Sequence, residues 1–144
     1  MKLFSHLRVS SEFSITQGLL TIDQIVDNAV ENSVPSVALT DKSNMFGLVK
    51  FFNKCESAGI KPISGASIRL IFEDDDVSYE LLCLAKTNNG HRNLMKIISK
   101  AHNNNSFNLP IIKFNDLIKL KDDIVVISGG KGSHCLLYTS DAAD

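Results

Sequence analysis

The sequence of 144 residues has no run of about 18 apolar residues, which excludes an ordinary membrane-spanning helix. It has no excess of positive charge either, since fifteen Lys and Arg stand against sixteen Asp and Glu, for a net charge of −1. A dedicated nucleic-acid-binding domain usually carries a basic excess, so this balance argues against one. The N-terminus, MKLFSHLRVSSE, becomes polar too soon for a signal peptide. We therefore expect a cytoplasmic protein.

Cysteine is scarce. The three cysteines, Cys55, Cys83 and Cys135, are far apart and lack any CxxC spacing, so neither a disulfide framework nor a zinc finger is indicated. Burial as a small apolar side chain is the default for Cys55 and Cys83. Hydrophobic residues make up 44% and charged residues 22% of the chain, which is typical of one soluble globular domain and disfavours disorder.

The last ten residues differ from the rest of the sequence. Cys135–Asp144, CLLYTSDAAD, contains no Asn, Ile or Lys, although these are abundant elsewhere. The stretch looks like a translated sequencing adapter, and we predict that 135–144 is an adapter-derived tail that is not native. On this interpretation the gene continues beyond about His134. The alternative is a genuine frayed terminus.

Strand and helix patterns alternate along the chain. Alternating or continuous apolar residues predict strands at Leu3–Ser10, Ser36–Thr40, Lys61–Phe72, Tyr79–Lys86 and Ile124–Ser128, the last of them buried. Helical spacing predicts helices that begin near Thr21-Ile22-Asp23 and that cover roughly Phe46–Ser57, Gly90–Asn103 and Asn115–Leu120, with Gly59 ending the second. Repeated β-then-α units favour a parallel or mostly parallel sheet.

Polar residues lie at or near the ends of these predicted strands. The candidates are His6, Arg8 and Ser10 on one face of the first strand, Asp41 after the second, Ser67 after Gly65, and Glu80 at the start of a later strand. In an α/β barrel the loops at the carboxyl ends of the strands carry the chemistry. The same positions are therefore the first places to look for a site.

Four ordered segments carry a family resemblance: HLRVSSEFS, ALTDKSNMFGLVKFF, AGIKPISGA and LAKTNNGHRNLMKIISKA. In this order and spacing they resemble the PHP (polymerase and histidinol phosphatase) domain at the N-terminus of bacterial DNA polymerase III alpha subunits, from about Phe4 to Gly130. The resemblance implies an α/β fold, a distorted barrel of the (β/α)7 type, of which residues 1–134 supply only the first strands and helices.

Active members of this family bind divalent metals, and the resemblance places their ligand positions on this chain. Their His-x-His motif corresponds to Arg8 and Ser10, and their Asp-His pair corresponds to Asp41-Lys42. A permanently cationic guanidinium cannot ligate a metal. Of these four positions, only Asp41 retains the metal-ligating side chain of the family.

Two further family ligands are also replaced. The acidic ligand after the third strand corresponds to Ser67, and the next His corresponds to Glu80 within a residue or so. The resemblance therefore implies vestigial metal-site positions, with no metal and no catalytic residue in this segment. Asp41 is expected either to pair with Arg8 or Lys42, or to start a helix as its N-cap.

Three functional hypotheses follow. The first is a metal-depleted PHP domain with a structural and interaction role in a DNA-directed DNA polymerase that acts in DNA replication. The second is an active metal-dependent phosphoesterase or proofreading exonuclease, and the third is an unrelated small α/β binding protein. The first implies other replicative polymerase subunits as partners, among them a proofreading exonuclease subunit. It also implies DNA contact and bound magnesium in domains beyond this segment. It implies no association with a membrane.

Overall fold

The computed structural model describes residues 4–15, 17–73, 77–104 and 108–128. Their helices are α1 (Ile22–Glu31), α2 (Leu48–Ala58), α3 (Asn88–His102) and α4 (Phe114–Lys119), and their strands are β1 (Ser36–Leu39), β2 (Lys61–Ile71), β3 (Ser78–Ala85), β4 (Ile112–Lys113) and β5 (Ile124–Ser128). The chain divides within β2 into two compact units, Met1–Ala66 and Ser67–Asp144. Leu3, most of the acidic turn at 73–76, and the tail at 135–144 lie outside the described residues.

In the first unit, α1 begins where the sequence predicts it. The Thr21 Oγ1 accepts a hydrogen bond from the Gln24 backbone N–H at 3.3 Å, and the Gln24 Oε1 accepts one from the Thr21 backbone N–H at 2.9 Å. This reciprocal pair is a capping box, which satisfies two backbone donors at the start of the helix. The buried face of α1 consists of Ile22, Ile25, Val26 and Ala29.

The second helix ends as predicted but begins later. Gly59 follows α2 in a left-handed conformation, with φ of 71°, which glycine adopts without steric cost. The helix begins at Leu48 rather than Phe46 because the preceding residues form turns and hydrogen bonds with another loop. Both helices cover one hydrophobic core, whose buried members are Ile22, Ile25, Val26, Ala29, Val34, Val37, Leu39, Leu48, Phe51, Cys55 and Ile60.

The segment 4–10 is extended but is not the regular strand that the pattern predicts. It runs parallel to β1, with backbone hydrogen bonds from Ala38 to His6 at 2.9 Å and from Thr40 to Val9 at 2.8 Å. The Val9 N–H donates to the Thr40 side-chain Oγ1 at 3.0 Å instead of to a backbone carbonyl, which interrupts the ladder. On the other side of β1, the first residues of β2 pair in parallel, from Ser36↔Lys61 to Leu39↔Ser64.

In the second unit, the sheet is mixed and open rather than mostly parallel. The two-residue strand β4, which no pattern predicts, pairs in parallel with the end of β2 at Leu70↔Ile112. β5 runs antiparallel to β3, from Leu81↔Ser128 to Ala85↔Ile124. The alternation of strands and helices in the sequence does not encode strand direction. The prediction of a mostly parallel sheet therefore fails at β5.

β5 is also more exposed than its apolar sequence predicts. Val125 and Val126 are 40% and 44% exposed. Within the described residues β5 pairs with β3 alone and lies at the edge of the sheet, so its second flank has no strand to cover it.

No helix of the described part of the chain is long and apolar enough to span a membrane.

The two described cysteines are buried and free, as predicted. Cys55 lies in the core of the first unit, and Cys83 lies on β3 in the second. Burial raises the pKa of the Cys55 thiol to about 11 and that of the Cys83 thiol to about 12. Because the thiolate is the reactive form, both side chains are inert while each unit is folded.

Candidate functional site

Asp41 is the centre of a buried hydrogen-bond cluster at the end of β1. Its side chain is 1% exposed. Its Oδ1 accepts hydrogen bonds from the Ser11 backbone N–H at 2.7 Å and from the Ser14 hydroxyl at 2.6 Å, and its Oδ2 accepts one from the Ser11 hydroxyl at 2.7 Å. A buried carboxyl is strongly destabilising unless donors surround it. Here three donors from a single loop satisfy it.

The two serines also bond beyond Asp41. The Ser14 Oγ accepts the Lys42 backbone N–H at 3.0 Å, and the Ser11 Oγ accepts the Phe13 backbone N–H at 3.3 Å. Both hydroxyls therefore act as donor and acceptor at once, as a serine hydroxyl can. The result is a closed network, which we call the Asp41 cluster, of Ser11, Ser14, Asp41 and the Lys42 backbone.

Neither predicted role of Asp41 matches this geometry. It is not a helix N-cap, because α2 begins at Leu48 and its N-cap is Gly47. It also makes no ion pair with Arg8 or Lys42 in the part of the chain that the structure describes. The serine donors engage both carboxyl oxygens, and the Arg8 side chain is exposed. Sequence reasoning missed Ser11 and Ser14, although both lie in the quoted segment HLRVSSEFS.

The two positions that match the family His-x-His motif lie in the extended segment beside β1. Arg8 is exposed and Ser10 is half-buried. His6, two residues earlier, is exposed, and its ring packs edge-on against Phe4 with centroids 4.8 Å apart. The ring of His6 is thus used in a packing contact.

In the second unit, the structure brings Ser67 and Glu80 together. The Ser67 hydroxyl on β2 donates a hydrogen bond to the Glu80 Oε1 on β3 at 2.6 Å. Two residues along β2, the Arg69 guanidinium lies 3.5 Å from the hydroxyl of Ser78, two residues before Glu80 on β3. Ser67 is buried, while the other three side chains are half-buried. One face of this strand pair therefore carries two polar cross-strand contacts.

A third polar cluster, absent from the sequence prediction, holds the turn before β5 against the start of α3. The Asn89 side-chain amide donates to Asp123 Oδ2 at 3.0 Å, and the Asn93 amide donates to the Asp122 carbonyl at 3.1 Å. A Cβ on Gly90 would lie 2.1 Å from the Asp123 carbonyl oxygen, so only glycine permits this approach. The segment TNNGHRN thus has a structural role in the second unit.

The same cluster changes the titration of Asp123. Hydrogen bonds from Asn89 and then Thr87 to its carboxylate lower the pKa of Asp123, because they favour the charged form. Thr87 is also the N-cap of α3, with its hydroxyl accepting the Gly90 N–H at 3.2 Å. This cap explains why α3 begins at Asn88, two residues before the predicted start.

An open groove on the first unit contains none of the predicted site residues. It is an open depression of about 630 Å³ along α2, lined by Phe46, Val49, Asn53, Ser57 and three charged residues. Lys50 lies 2.9 Å from Asp23, and Lys54 lies 3.3 Å from Asp27 and 3.6 Å from Asp23, so two lysines pair with two aspartates of α1. The groove therefore presents no unbalanced charge to a ligand.

A metal site in this chain would need several donor side chains that converge on one point. Structural and catalytic zinc sites use three or four converging His, Cys, Asp or Glu side chains. Within residues 4–15, 17–73, 77–104 and 108–128, no three such side chains converge. Asp41 already has both carboxyl oxygens engaged by serine donors, which a metal would have to displace.

The chain matches the PHP domain family over residues 6–142. It is 38% identical over 128 residues to the DNA polymerase III alpha subunit of Pasteurella multocida and 38% identical over 131 residues to that of Escherichia coli K12. These alignments cover 88% and 89% of this chain but 11% of each relative, so the chain spans about a ninth of their length.

The fold is also similar to solved structures. A Chromobacterium violaceum amidohydrolase aligns with a TM-score of 0.53 and 18% identity, over 70% of this chain and 33% of its own. A Bifidobacterium adolescentis protein described as a metal-dependent phosphoesterase aligns with a TM-score of 0.51 and 18% identity, over 83% of this chain and 43% of its own. At this identity the likeness concerns the fold. The family match and the alpha-subunit relatives establish that this chain belongs to the PHP domain family.

Proposed function

We propose that this chain is the N-terminal PHP domain of a bacterial DNA polymerase III alpha subunit, with a structural and interaction role in DNA replication and no metal-dependent chemistry of its own. The alignment with alpha subunits over nearly nine-tenths of the chain supports the assignment. The polymerase activity, its magnesium ions and its DNA contacts belong in this proposal to regions beyond these residues.

The proposal rests mainly on the hydrogen bonds of Asp41. Among the corresponding family positions in the first unit, Asp41 alone retains the metal-ligating side chain of the family. Its carboxyl oxygens accept hydrogen bonds from Ser11 and Ser14. The neighbouring positions, Arg8 and Lys42, are cationic and would repel a divalent ion. In the second unit, the hydroxyl of Ser67 already uses Glu80 as its acceptor.

The proposal extends to the architecture and the setting. Residues 1–134 form the first strands and helices of a distorted (β/α)7-type barrel, and 135–144 is a tail foreign to the native protein. The whole subunit is cytoplasmic. Its partners are other replicative polymerase subunits, including a proofreading exonuclease subunit that supplies the editing that this domain lacks.

Elemental analysis of the purified full-length subunit tests the central claim. We expect much less than one zinc or manganese per chain after dialysis, and no hydrolysis of a phosphomonoester or of single-stranded DNA when either metal is added. One or more tightly bound ions per chain, lost in Asp41→Ala, would contradict the proposal, and metal-dependent hydrolysis would favour the active phosphoesterase or exonuclease instead. Asp27→Ala, an exposed acid on α1, is the matched control.

The partner claim has a separate test. The full-length subunit and its cognate exonuclease subunit should co-elute at micromolar concentration in size-exclusion chromatography. Separate elution of the two proteins would contradict the interaction role and leave the metal result unaffected.

A further inference from the structure

We infer that Asp41 is a loop anchor: its carboxyl group holds the loop that carries Ser11 and Ser14 against the end of β1, through hydrogen bonds from both hydroxyls. This inference rests on the proposed function, because it takes the Asp41 position to be free of metal. It assigns a positioning role to three residues at this site.

The hydrogen-bond donors to Asp41 come from one distant part of the chain. All three hydrogen bonds to Asp41 come from Ser11 and Ser14, about thirty residues away in the chain. The carboxyl group is therefore the common acceptor through which one loop attaches to the strand end. A group that is 1% exposed cannot exchange these donors for water without local opening.

The loop that carries Ser11 and Ser14 closes around these two residues. The Gly18 backbone N–H donates to the Ser14 carbonyl at 2.8 Å. A Cβ on Gly18 would lie only 1.6 Å from the Ser11 carbonyl oxygen, so the close approach requires glycine at this position. The loop is thus a compact turn whose two hydroxyls point to one acceptor.

The anchored loop also carries an aromatic residue that packs against the core. Phe13 lies between the two serines and packs against the core of the first unit. Its ring occupies the space beside Gly47, since a Cβ there would lie 2.8 Å from Phe13 Cδ2. The Asn44 side-chain amide also donates to the Phe13 carbonyl at 3.0 Å. Residues just after β1 therefore fix both the polar and the apolar sides of this loop.

Hydrogen exchange of the full-length subunit, read by mass spectrometry of peptides that cover 11–20 and 37–46, tests the inference. In Asp41→Ala we expect these peptides to exchange about tenfold faster or more, since charge-assisted hydrogen bonds are lost. Ser14→Ala should give a smaller increase in the same peptides. In peptide 11–20 the double variant should exchange no faster than Asp41→Ala alone, because there the Ser14 hydroxyl acts through the Asp41 carboxyl group. Asp27→Ala is the control and should match the wild type.

Repeating the exchange measurement with zinc, manganese or EDTA distinguishes a failure of the inference from a failure of the proposed function. If zinc, manganese or EDTA alters exchange in the wild type but not in Asp41→Ala, the position binds metal and both claims fail. If metal and EDTA have no effect and Asp41→Ala exchanges like the wild type, the anchor alone is wrong.

A global loss of structure is recognised by thiol labelling. If Asp41→Ala exposes both Cys55 and Cys83 to labelling, Ser14→Ala decides the question. Faster exchange at 11–20 with Cys55 still protected supports the anchor, and unchanged exchange in Ser14→Ala overturns it.

Discussion

Ser67 on β2 donates a 2.6 Å hydrogen bond to the Glu80 carboxyl group on β3, so the two second-unit positions predicted to correspond to family metal ligands bind each other directly. Ser67 is buried, and its hydroxyl fits beside the carboxyl group only because it can donate a proton. An acidic residue at this position would face Glu80 with a second carboxylate.

Ser67→Asp should therefore destabilise the second unit when no metal is present. Two adjacent carboxylates repel, and burial raises the cost, for which we expect roughly 1–3 kcal/mol. The measurement is the labelling rate of Cys83 under native conditions. Ser78→Asp is the control, since it lies beside the Arg69 guanidinium and gains an opposite charge. Cys83 labelling in Ser67→Asp at the wild-type rate would contradict this prediction.

Gly90→Ala should separate the start of α3 from the turn before β5. The added methyl would lie 2.1 Å from the Asp123 backbone oxygen, which cannot move without breaking its hydrogen bond from the Lys86 N–H at 2.9 Å. We expect a loss of about 1–3 kcal/mol or more, the range for overpacking, seen as faster Cys83 labelling. Asn88→Ala, at an exposed position two residues earlier, should label like the wild type.

Asp123 should make the second unit sensitive to acid. Asn89 and Thr87 lower its pKa in the folded state, so its contribution to stability is present above the unfolded pKa, about 3.9, and is lost as the pH falls through the lower folded value. Pepsin cleavage within 78–128, normalised to an unfolded substrate, should rise as the pH drops below about 4. Asp123→Ala should be cleaved more readily at pH 5 and change less with pH. The Asp122→Ala control should follow the wild-type profile.

The exposed valines of β5 should make the isolated chain self-associate. Val125 and Val126 lie on opposite faces of an edge strand, and both are about two-fifths exposed. We expect the 144-residue chain to bind a dye for apolar surfaces and to scatter light. The double variant Val125→Lys, Val126→Lys should reduce both signals. Val30→Lys, which replaces an exposed valine on α1, is the control. A monomer that melts cooperatively without dye binding would contradict this prediction.

Local signals made much of the secondary structure predictable. Thr21 with Gln24 three residues later marks the start of α1, and Gly59 marks the end of α2, because caps depend on neighbouring residues alone. The four quoted segments were sufficient to identify the family, since their order and spacing are properties of the sequence. Element bounds moved by about two residues where a cap lay earlier or a turn lasted longer.

The direction and exposure of β5 depended on tertiary structure. Its apolar run is the same in a buried parallel strand and in a half-exposed antiparallel edge strand, so periodicity cannot distinguish the two. The outcome depends on which strand lies beside it, and the partner β3 is about forty residues away. No local pattern records that pairing.

The amino-acid sequence by itself determined the family, the caps and the residue types at the positions predicted to correspond to family metal ligands, among them Arg8, Lys42 and Ser67. Only the tertiary structure decided what those positions do. Asp41 had two sequence-based interpretations, an ion pair and a helix cap, and it adopts neither, because Ser11 and Ser14 supply donors from about thirty residues away. The choice among competing partners of a buried carboxyl group depends on which donors reach it within about 3 Å, and that distance exists only once the chain has folded.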